Sequence, residues 1–299
     1  MLSAAIILPG GAEMPAVQSL RSIEGVEWDG IFFSGKKKKY VFDRALILSS
    51  PEIIPLICDL LIVIDPEFCT FDYMSYAIRN GCHLFLSDKL KLTREERKQL
   101  IHLASEGGTY IQIQNDFLFH PFQEKIRSQS KRTCFIEVSQ SVPARPDRLN
   151  ELLLNNLLMI LRAAGSPIHK LDVFCGTRPS RQPDVLNIHI NFKNGSVATL
   201  TLRFIEQPLM HMMSVHAGGE VTTFDFLENK ISHLPQTENT NLLQKSSPDP
   251  LQEQISDFVK NIAEKNNPGF SLDDEIQGFQ LMEKIREKIE VNSFTLEQN

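Results

Sequence analysis

Histidines are the residues of this sequence best able to exchange protons near neutral pH, and their spacing limits what they can do. His211 and His216 lie five residues apart in a strand-like segment. Side chains at an odd spacing on a strand point to opposite faces, so this pair is poorly placed to share a metal ion. His189 lies in an alternating strand pattern, which indicates a structural role. The sequence shows no pattern typical of a Ser-His-Asp triad, a P-loop or a zinc site.

A glycine pair and a lysine cluster are the two features that could bind phosphate. Gly10 and Gly11 follow the apolar run 4–8, and a glycine-rich turn between a strand and a helix can hold a pyrophosphate. The lysines at 36–39 form the one strong basic cluster, for which a solvated loop is the more common explanation. The net charge of −6 argues against nucleic acid as the main partner.

Length and composition indicate a globular protein with two domains. A chain of 299 residues is long for one hydrophobic core, and its 42% hydrophobic and 23% charged residues are ordinary. Its five cysteines form no Cys-x-x-Cys pair, which predicts reduced thiols and a cytoplasmic location. The first apolar run ends at Pro9 and lacks a preceding basic region, so we expect a strand there and not a signal peptide. No apolar segment is long enough to predict a membrane span.

Strand and helix patterns alternate in the first part of the chain. Continuous apolar runs at 4–8 and 59–65 are typical of strands that are buried on both faces. Thr93 and Glu96 form a capping box, which predicts the start of a helix. The alternation predicts an α/β fold, with a Rossmann-like, doubly wound parallel sheet in a domain covering residues 1–118.

Residues 119–299 show a different pattern. A long apolar helix is predicted over 148–165, and strand patterns and two terminal helices follow it. Asn194 and Gly195 lie between two strand patterns, which predicts a type I′ turn and antiparallel pairing. We therefore expect a C-terminal α+β domain with an open, mainly antiparallel sheet.

Four segments together resemble the glucose-fructose oxidoreductase/inositol dehydrogenase (Gfo/Idh/MocA) family. The helix that ends before "GSP" (165–167), the hairpin "NGSVA" (194–198) and the ending "NNPGFSLDDE" (266–275) resemble three of its motifs. Segment 65–93 follows the family order Thr-Pro, Gly-x-His and Glu-Lys-Pro-x-x-x-Thr, with matches at Pro66, Gly81, His83 and Thr93. The resemblance implies the fold, an NAD or NADP cofactor, and oxidation of a sugar or sugar-like alcohol.

The cofactor turn departs from the family pattern. At the three glycine positions this sequence has Leu8, Gly10 and Glu13. Only Gly10 is retained, and Gly11 takes part only if the alignment slips by one residue. A side chain on Leu8 crowds the turn, and a carboxylate on Glu13 would repel phosphate. This turn therefore predicts weak or absent dinucleotide binding.

The remaining cofactor positions favour NADP over NAD, if either binds. Ser34 ends the second strand and Lys36 follows it, where an NAD enzyme has an acidic residue that binds the ribose. A serine and a lysine would instead suit the 2′-phosphate of NADP. Pro66, retained from the family's Thr-Pro, completes the candidate cofactor-binding positions.

The resemblance also implies two catalytic positions, and both are changed. The family lysine falls on Asp88, with Lys89 one residue later. One residue reverses the face in a strand, although not where the chain has left the strand. The family histidine falls on Asn155, which has no proton to exchange near neutral pH. Glu151 on the same helix face and His120 near the family's domain crossing are the candidate substitutes.

Three departures at the three chemical positions favour a degenerate homologue, which is either non-catalytic or binds a sugar-like ligand for another purpose. One alternative is an active NAD(P)-dependent oxidoreductase in which Lys89, Glu151 or His120 replaces the missing groups. A second alternative is an interaction partner of an active paralogue.

The family's open sheet also implies a homodimer or homotetramer. Ile188, Ile190 and Phe192 are expected on one face of the sheet, with Leu186 in register. If the other face carries Leu200, Leu202 and Phe204, it is a larger apolar patch than a monomer usually exposes. A two-fold interface would bury that patch.

Overall fold

The computed structural model divides the chain into two compact units. It describes residues 1–10, 20, 22–35, 48, 50–130, 133–143, 149–176, 184–205, 208–234 and 250–296. The first unit consists of Met1–Phe119 and Ser247–Ile276, and the second of His120–Ser246 and Gln277–Asn299.

The first unit is built on a five-stranded parallel sheet in the order β2-β1-β3-β4-β5. Its strands are β1 (Leu2–Pro9), β2 (Val26–Ser34), β3 (Leu60–Val63), β4 (His83–Leu86) and β5 (Ile111–Ile113). Consecutive residues such as Ala4, Ala5 and Ile6 are all buried. Because neighbouring side chains of a strand point to opposite faces, both faces of this sheet are covered. The predicted Rossmann-like sheet is confirmed.

Two of the described helices show the start and stop signals that were predicted for them. The described helices are a 3₁₀ helix at Pro51–Leu56, α1 (Phe71–Arg79), α2 (Arg94–Gly107), α3 (Phe122–Gln129), α4 (Leu149–Ala164), α5 (Pro250–Glu264) and α6 (Leu272–Leu296). The capping box is present, because Thr93 Oγ1 accepts from the backbone of Glu96 and the Glu96 carboxylate accepts from the Thr93 N–H at 2.7 Å. Gly165 follows α4 with a φ of 55°, as a C′ glycine does. In the described part of the chain, no helix has the length and apolarity needed to cross a membrane.

Helix α5 belongs to the first unit. The predicted division into 1–118 and 119–299 places this helix in the C-terminal domain. Its apolar residues Ile255, Phe258 and Val259 are buried in the same core as β1 and β3. The Phe258 ring lies 6.1 Å from the ring of Phe85 in β4. The chain therefore returns to the parallel sheet after the second unit because this helix buries its apolar face there.

The second unit contains a seven-stranded sheet in the order β12-β11-β10-β6-β9-β8-β7. Its strands are β6 (Phe135–Val142), β7 (Ile168–Gly176), β8 (Val185–Phe192), β9 (Val197–Phe204), β10 (Met210–Ala217), β11 (Glu220–Asp225) and β12 (Lys230–Leu234). The β6–β9 pair is parallel and the other neighbours are antiparallel. The open, mainly antiparallel sheet is thus as predicted. Side chains of α3, α4 and α6 pack in one core with this sheet.

The β8–β9 hairpin forms as predicted, but its turn is not type I′. Gly195 has a φ of 84°, whereas the φ of Asn194 is not positive. The Gly195 N–H donates to the Phe192 carbonyl at 3.1 Å, and the Phe192 N–H donates to the Ser196 carbonyl at 2.9 Å. These bonds indicate a turn that ends in one left-handed glycine and offsets the strands by a bulge.

The sheet register corrects the expected distribution of apolar residues over its two faces. Ile188 pairs directly with Leu200, and Leu186 pairs with Leu202. Directly paired residues lie on the same face, so both rows belong to the buried core. The other face instead carries polar residues such as His189 and Thr199, whose side chains contact each other at 3.4 Å. The large apolar patch expected from the sequence is therefore not there.

Candidate functional site

The carboxyl ends of β1, β2 and β3 form the first candidate region. β1 lies between β2 and β3, so the strand order reverses there. Open α/β sheets bind ligands at such a switch point, outside the carboxyl ends of the strands. Pro9 at the end of β1 pairs with Ser34 at the end of β2. Asp65 follows β3, and its N–H approaches the Ile7 carbonyl at 3.4 Å.

A side-chain hydrogen bond connects the two strands that flank β1. The Ser34 hydroxyl donates to the Asp65 carboxylate, and the Glu67 N–H donates to the other carboxylate oxygen at 3.0 Å. Asp65 is only 3% exposed. Because Ser34 and Asp65 lie on opposite sides of β1, their bond crosses its carboxyl end. We call this pair the strand-end bridge.

Gly10, the one retained glycine, is required by backbone packing. A Cβ added to Gly10 would lie 2.2 Å from the carbonyl oxygen of Ser34, far inside van der Waals contact. A glycine is needed wherever two backbones approach so closely. The glycine is therefore explained by the packing of β1 against β2, with no ligand involved.

Pro66 lies in a turn directly after the bridge. The Phe68 N–H donates to the Asp65 carbonyl at 3.1 Å and the Cys69 N–H to the Pro66 carbonyl at 3.3 Å. Burial raises the pKa of the Cys69 thiol to about 12, so this thiol is unreactive at neutral pH. The other two predicted cofactor residues, Gly11 and Lys36, lie outside the described residues.

Lys89 lies beyond the end of its strand. β4 ends at Leu86, and the Ser87 N–H still donates to the Val63 carbonyl at 2.8 Å. Asp88 and Lys89 are both exposed. The alternation of faces within a strand therefore does not restrict Lys89, and its side chain extends from a loop.

The second candidate region lies on helix α4. Glu151 is exposed and Asn155 is half-buried, one turn apart on the same face. Asn156 faces the core and is 1% exposed. Its amide donates at 2.7 Å both to the Gln140 side-chain oxygen and to the Leu152 carbonyl.

Asn156 also contacts His211, and we call Gln140, Asn156 and His211 the amide–imidazole cluster. Gln140 and His211 are direct partners across β6 and β10, so Asn156 reaches both from the helix. The Asn156 amide nitrogen is committed to two acceptors, which leaves Asn156 Oδ1 to accept from His211 Nε2 at 3.2 Å. This arrangement assigns the His211 proton to Nε2.

His211 is neutral at physiological pH. Burial lowers its pKa to about 4, and the neighbouring His120 adds to the effect. Its ring stacks on Phe226 with the centroids 4.7 Å apart. A neutral, buried imidazole with a fixed tautomer packs as part of the core. The predicted opposite orientation of His211 and His216 is confirmed, because His211 is buried and His216 is half-exposed on the other face.

His120 has hydrogen-bond partners at both ring nitrogens. Its Nδ1 accepts from the Phe122 N–H at 3.3 Å, and its Nε2 lies 3.2 Å from the side-chain oxygen of Asn229. Burial lowers the pKa of His120. A catalytic base needs a nitrogen lone pair that faces substrate. The lone pair of His120 Nδ1 instead accepts from the Phe122 N–H, which favours a structural role.

The structure brings some of the predicted residues together. Gly10 and Ser34 meet at the strand ends, and Glu151 and Asn155 share a helix face. Asp65, Asn156, Gln140 and His211 were not predicted to have a role in a site. Within the described ranges, no group of three metal-binding side chains could hold a metal ion.

The solved structures that resemble this chain include dehydrogenases. A dehydrogenase from Chromobacterium violaceum is similar with a TM-score of 0.76 and 14% identity, over 100% of this chain and 98% of that one. UDP-N-acetylglucosamine 3-dehydrogenase GnnA from Acidithiobacillus ferrooxidans is similar with a TM-score of 0.74 and 18% identity, over 96% and 97%. The dehydrogenase MviM from Clostridium difficile gives 0.73 and 15%, over 96% and 99%.

The fold is that of Gfo/Idh/MocA-type dehydrogenases, as the sequence motifs predicted. No protein-family model matches the chain, and no curated protein matches it significantly. At identities of 18% and below, the similarity establishes the fold, and function has to be argued from the site.

Proposed function

We propose that this protein is a degenerate homologue of Gfo/Idh/MocA-type dehydrogenases, which binds a sugar-like ligand without transferring hydride. The observation that carries the proposal is the strand-end bridge. Ser34 and Asp65 occupy the switch point with each other, where a dinucleotide of an active enzyme would place its phosphates.

Electrostatics makes this position unfavourable for a dinucleotide. Two unit charges of the same sign at 4 Å repel by about 4 kcal/mol at an effective dielectric constant of about 20. That energy corresponds to roughly a thousandfold loss of affinity. Asp65 has no cationic partner among its hydrogen-bonded neighbours in the described chain, which are Ser34 and the Glu67 N–H.

The second unit supports the same proposal. Asn155 replaces the expected histidine and cannot take a proton from an alcohol. His120 and His211 have hydrogen-bonded nitrogens and lowered pKa values. Neither histidine therefore offers the group that hydride transfer from an alcohol requires.

Nucleotide titration by calorimetry tests the proposal. NAD, NADH, NADP and NADPH are each expected to show no saturable binding below about 1 mM. A low-micromolar dissociation constant for any of them would overturn it. If NADPH alone binds, and the double variant Lys36→Ala, Lys37→Ala abolishes the binding, the result would support recognition of the 2′-phosphate of NADP.

A sugar-like ligand is proposed from the fold and from the similarity to GnnA, a UDP-N-acetylglucosamine 3-dehydrogenase. UDP-N-acetylglucosamine is therefore the first ligand to test, by the shift that it causes in the thermal unfolding midpoint. A shift with no change in the ligand after incubation with NAD or NADP would support binding without turnover.

One observation favours the alternative of an active oxidoreductase. Lys89 lies on a loop after β4, is exposed, and is not fixed on the wrong face of a strand. If Lys89 acts in catalysis, reduced cofactor accumulates with a sugar substrate and Lys89→Ala abolishes it. Lys91→Ala, on the same loop, is the matched control.

We also propose assembly into a homodimer or homotetramer in the cytoplasm, through the polar face of the seven-stranded sheet. That face carries rows of threonine and histidine together with Phe135 and Phe174, which are 37% and 59% exposed. Light scattering of the purified chain distinguishes this assembly from a monomer. A monomer that assembles only with a paralogous dehydrogenase would favour the interaction-partner alternative.

A further inference from the structure

Two buried thiols lie side by side at the amino ends of neighbouring strands. Cys58 precedes β3 and Cys82 directly precedes β4. β3 and β4 pair in parallel, with Leu60 opposite His83, and the His83 N–H donates to the Asp59 carbonyl at 2.8 Å. Extended back by one residue, this register places Cys82 opposite Asp59, so Cys58 is offset from Cys82 by one position. Both cysteines lie at the opposite end of the strands from the strand-end bridge.

The side chains of this pair contact the same short stretch of backbone. Cys82 Sγ lies 3.1 Å from the Cys58 carbonyl and 3.4 Å from the Pro55 carbonyl. Cys58 Sγ donates to the Ile54 carbonyl at 3.2 Å. The interaction between the two thiols raises the pKa of Cys58 and lowers that of Cys82. Cys58 is 7% and Cys82 0% exposed.

We propose that Cys58 and Cys82 are a redox-sensitive pair, which a peroxide converts into a reversible disulfide across the amino ends of β3 and β4. Neighbouring strands are about 4.8 Å apart, and a disulfide needs Cα atoms roughly 4.4–6.8 Å apart. With one residue of offset along the strand, about 3.3 Å, the Cα atoms of Cys58 and Cys82 should be roughly 6 Å apart, which is within that range without rearrangement of the sheet.

The chemistry balances with hydrogen peroxide as the oxidant. The Cys82 thiolate attacks one peroxide oxygen, the O–O bond breaks, and a sulfenic acid and one water form. The Cys58 sulfur then attacks the sulfenic sulfur, the S–O bond breaks, and the S–S bond forms as a second water leaves. Two thiols and one peroxide give one disulfide and two waters. A dithiol reductant reverses the step by thiol–disulfide exchange.

The order of attack follows from the contact between the thiols. A hydrogen bond from Cys58 lowers the pKa of Cys82, whereas the same contact raises the pKa of Cys58. Cys82 therefore attacks first, because the thiolate is the nucleophile. The Cys69 thiol interacts with backbone groups, namely the Val63 and Asp65 carbonyls and the backbone of Ser87, and no thiol is among them.

The test is oxidation of the folded full chain with hydrogen peroxide, followed by catalase, denaturation, alkylation and peptide mapping by mass spectrometry. We expect a Cys58–Cys82 cross-linked peptide, which dithiothreitol removes. The closed loop between the two cysteines should raise the thermal unfolding midpoint by several degrees. Alkylation of both cysteines after peroxide treatment would overturn the proposal, as would a disulfide that forms only in denatured chain.

Two variants sharpen the test. In Cys58→Ser, peroxide should leave a sulfenic acid on Cys82 that dimedone traps, with no cross-link. Cys69→Ser removes an equally buried thiol and should leave the cross-link unchanged. If Cys58→Ser does not fold, the peptide map of the unmodified sequence still decides. A cross-link between any other two cysteines in the folded chain contradicts the proposal.

Discussion

The strand ends of the first unit and the core of the second unit both bury polar side chains, but with different consequences. The strand-end bridge is a carboxylate held by a serine hydroxyl at the edge of a sheet. The amide–imidazole cluster is a chain of three neutral side chains between a helix and a sheet. The first lies where folds of this class bind ligands, and the second lies inside a packed core.

The difference indicates what each region contributes. In the proposed function, contacts within the chain replace contacts to a ligand at the strand ends, so changes there should alter binding and have modest effects on stability. In the amide–imidazole cluster, each polar side chain has another buried side chain as its hydrogen-bond partner. Changes there should be costly for stability, because an unpartnered buried polar group loses its full hydration.

The largest expected effect is that of Asn156→Leu. Leucine removes the hydrogen-bond donor to Gln140 and the hydrogen-bond acceptor from His211. Residue 156 is only 1% exposed, so water cannot replace these partners. Each lost partner in a buried site costs about 1–3 kcal/mol, so the free energy of unfolding should fall by about 4 kcal/mol. Urea unfolding followed by circular dichroism measures this change. Asn155→Leu, on the half-exposed neighbour, is the control and should cost less than about 1 kcal/mol.

Acid should weaken the second unit through His211. Its folded pKa is about 4, below its ordinary value, so the unfolded chain binds the proton more tightly. Stability is then lost as the pH falls below about 6.5 and levels off near 4, by roughly 3 kcal/mol in total. Urea midpoints at a series of pH values measure the loss. His211→Gln should flatten this dependence, and an unchanged pH profile in that variant would contradict the assignment.

A smaller effect is expected for Gly10→Ala. The new Cβ would lie 2.2 Å from the Ser34 carbonyl oxygen, so β1 and β2 must separate, at a cost of about 2 kcal/mol. Trp28, the only tryptophan, lies in β2 and reports this unfolding by fluorescence. Gly176→Ala is the matched control, since nothing lies within 4 Å of a Cβ there.

The smallest effect is expected for Ser34→Ala. It removes one donor to Asp65 at a part-buried position where water can substitute, which should cost about 1 kcal/mol. Trp28 fluorescence in urea again provides the measurement. Ser128→Ala on the exposed face of α3 should be close to neutral, and an equal loss in both variants would mean that the bridge adds nothing to stability.

Much of the fold could be predicted because buried positions are apolar, and their spacing along the chain differs between helices and strands. The apolar runs of β1 and β3 indicate strands covered on both faces, and Thr93 with Glu96 marks a helix start. The return of α5 could not be predicted, because its apolar face does not indicate which sheet it covers. The position of Leu200 was also missed, since the face of a residue depends on register with a partner strand as well as on alternation.

The site was predicted less well for the same physical reason. Asp65 follows the clearest buried strand, but its serine partner is 31 residues away in the sequence. Asn156 is recognisable in the sequence, because it is the one polar residue among the buried positions of α4 between Leu153 and Ile160. Its partners on β6 and β10 become apparent only from the sheet order.

Binding of NADPH to the unmodified protein and to Asp65→Asn tests the proposed closure of the strand ends most directly. Asparagine keeps the shape of the side chain and removes the charge, so repulsion of a phosphate should fall while packing is retained. Calorimetry should detect no saturable binding to the unmodified chain below about 1 mM, and binding to Asp65→Asn with a dissociation constant of about 0.1 mM or lower, at least about a tenfold gain over that limit. Low-micromolar binding to the unmodified chain that Asp65→Asn leaves unchanged would contradict the proposal.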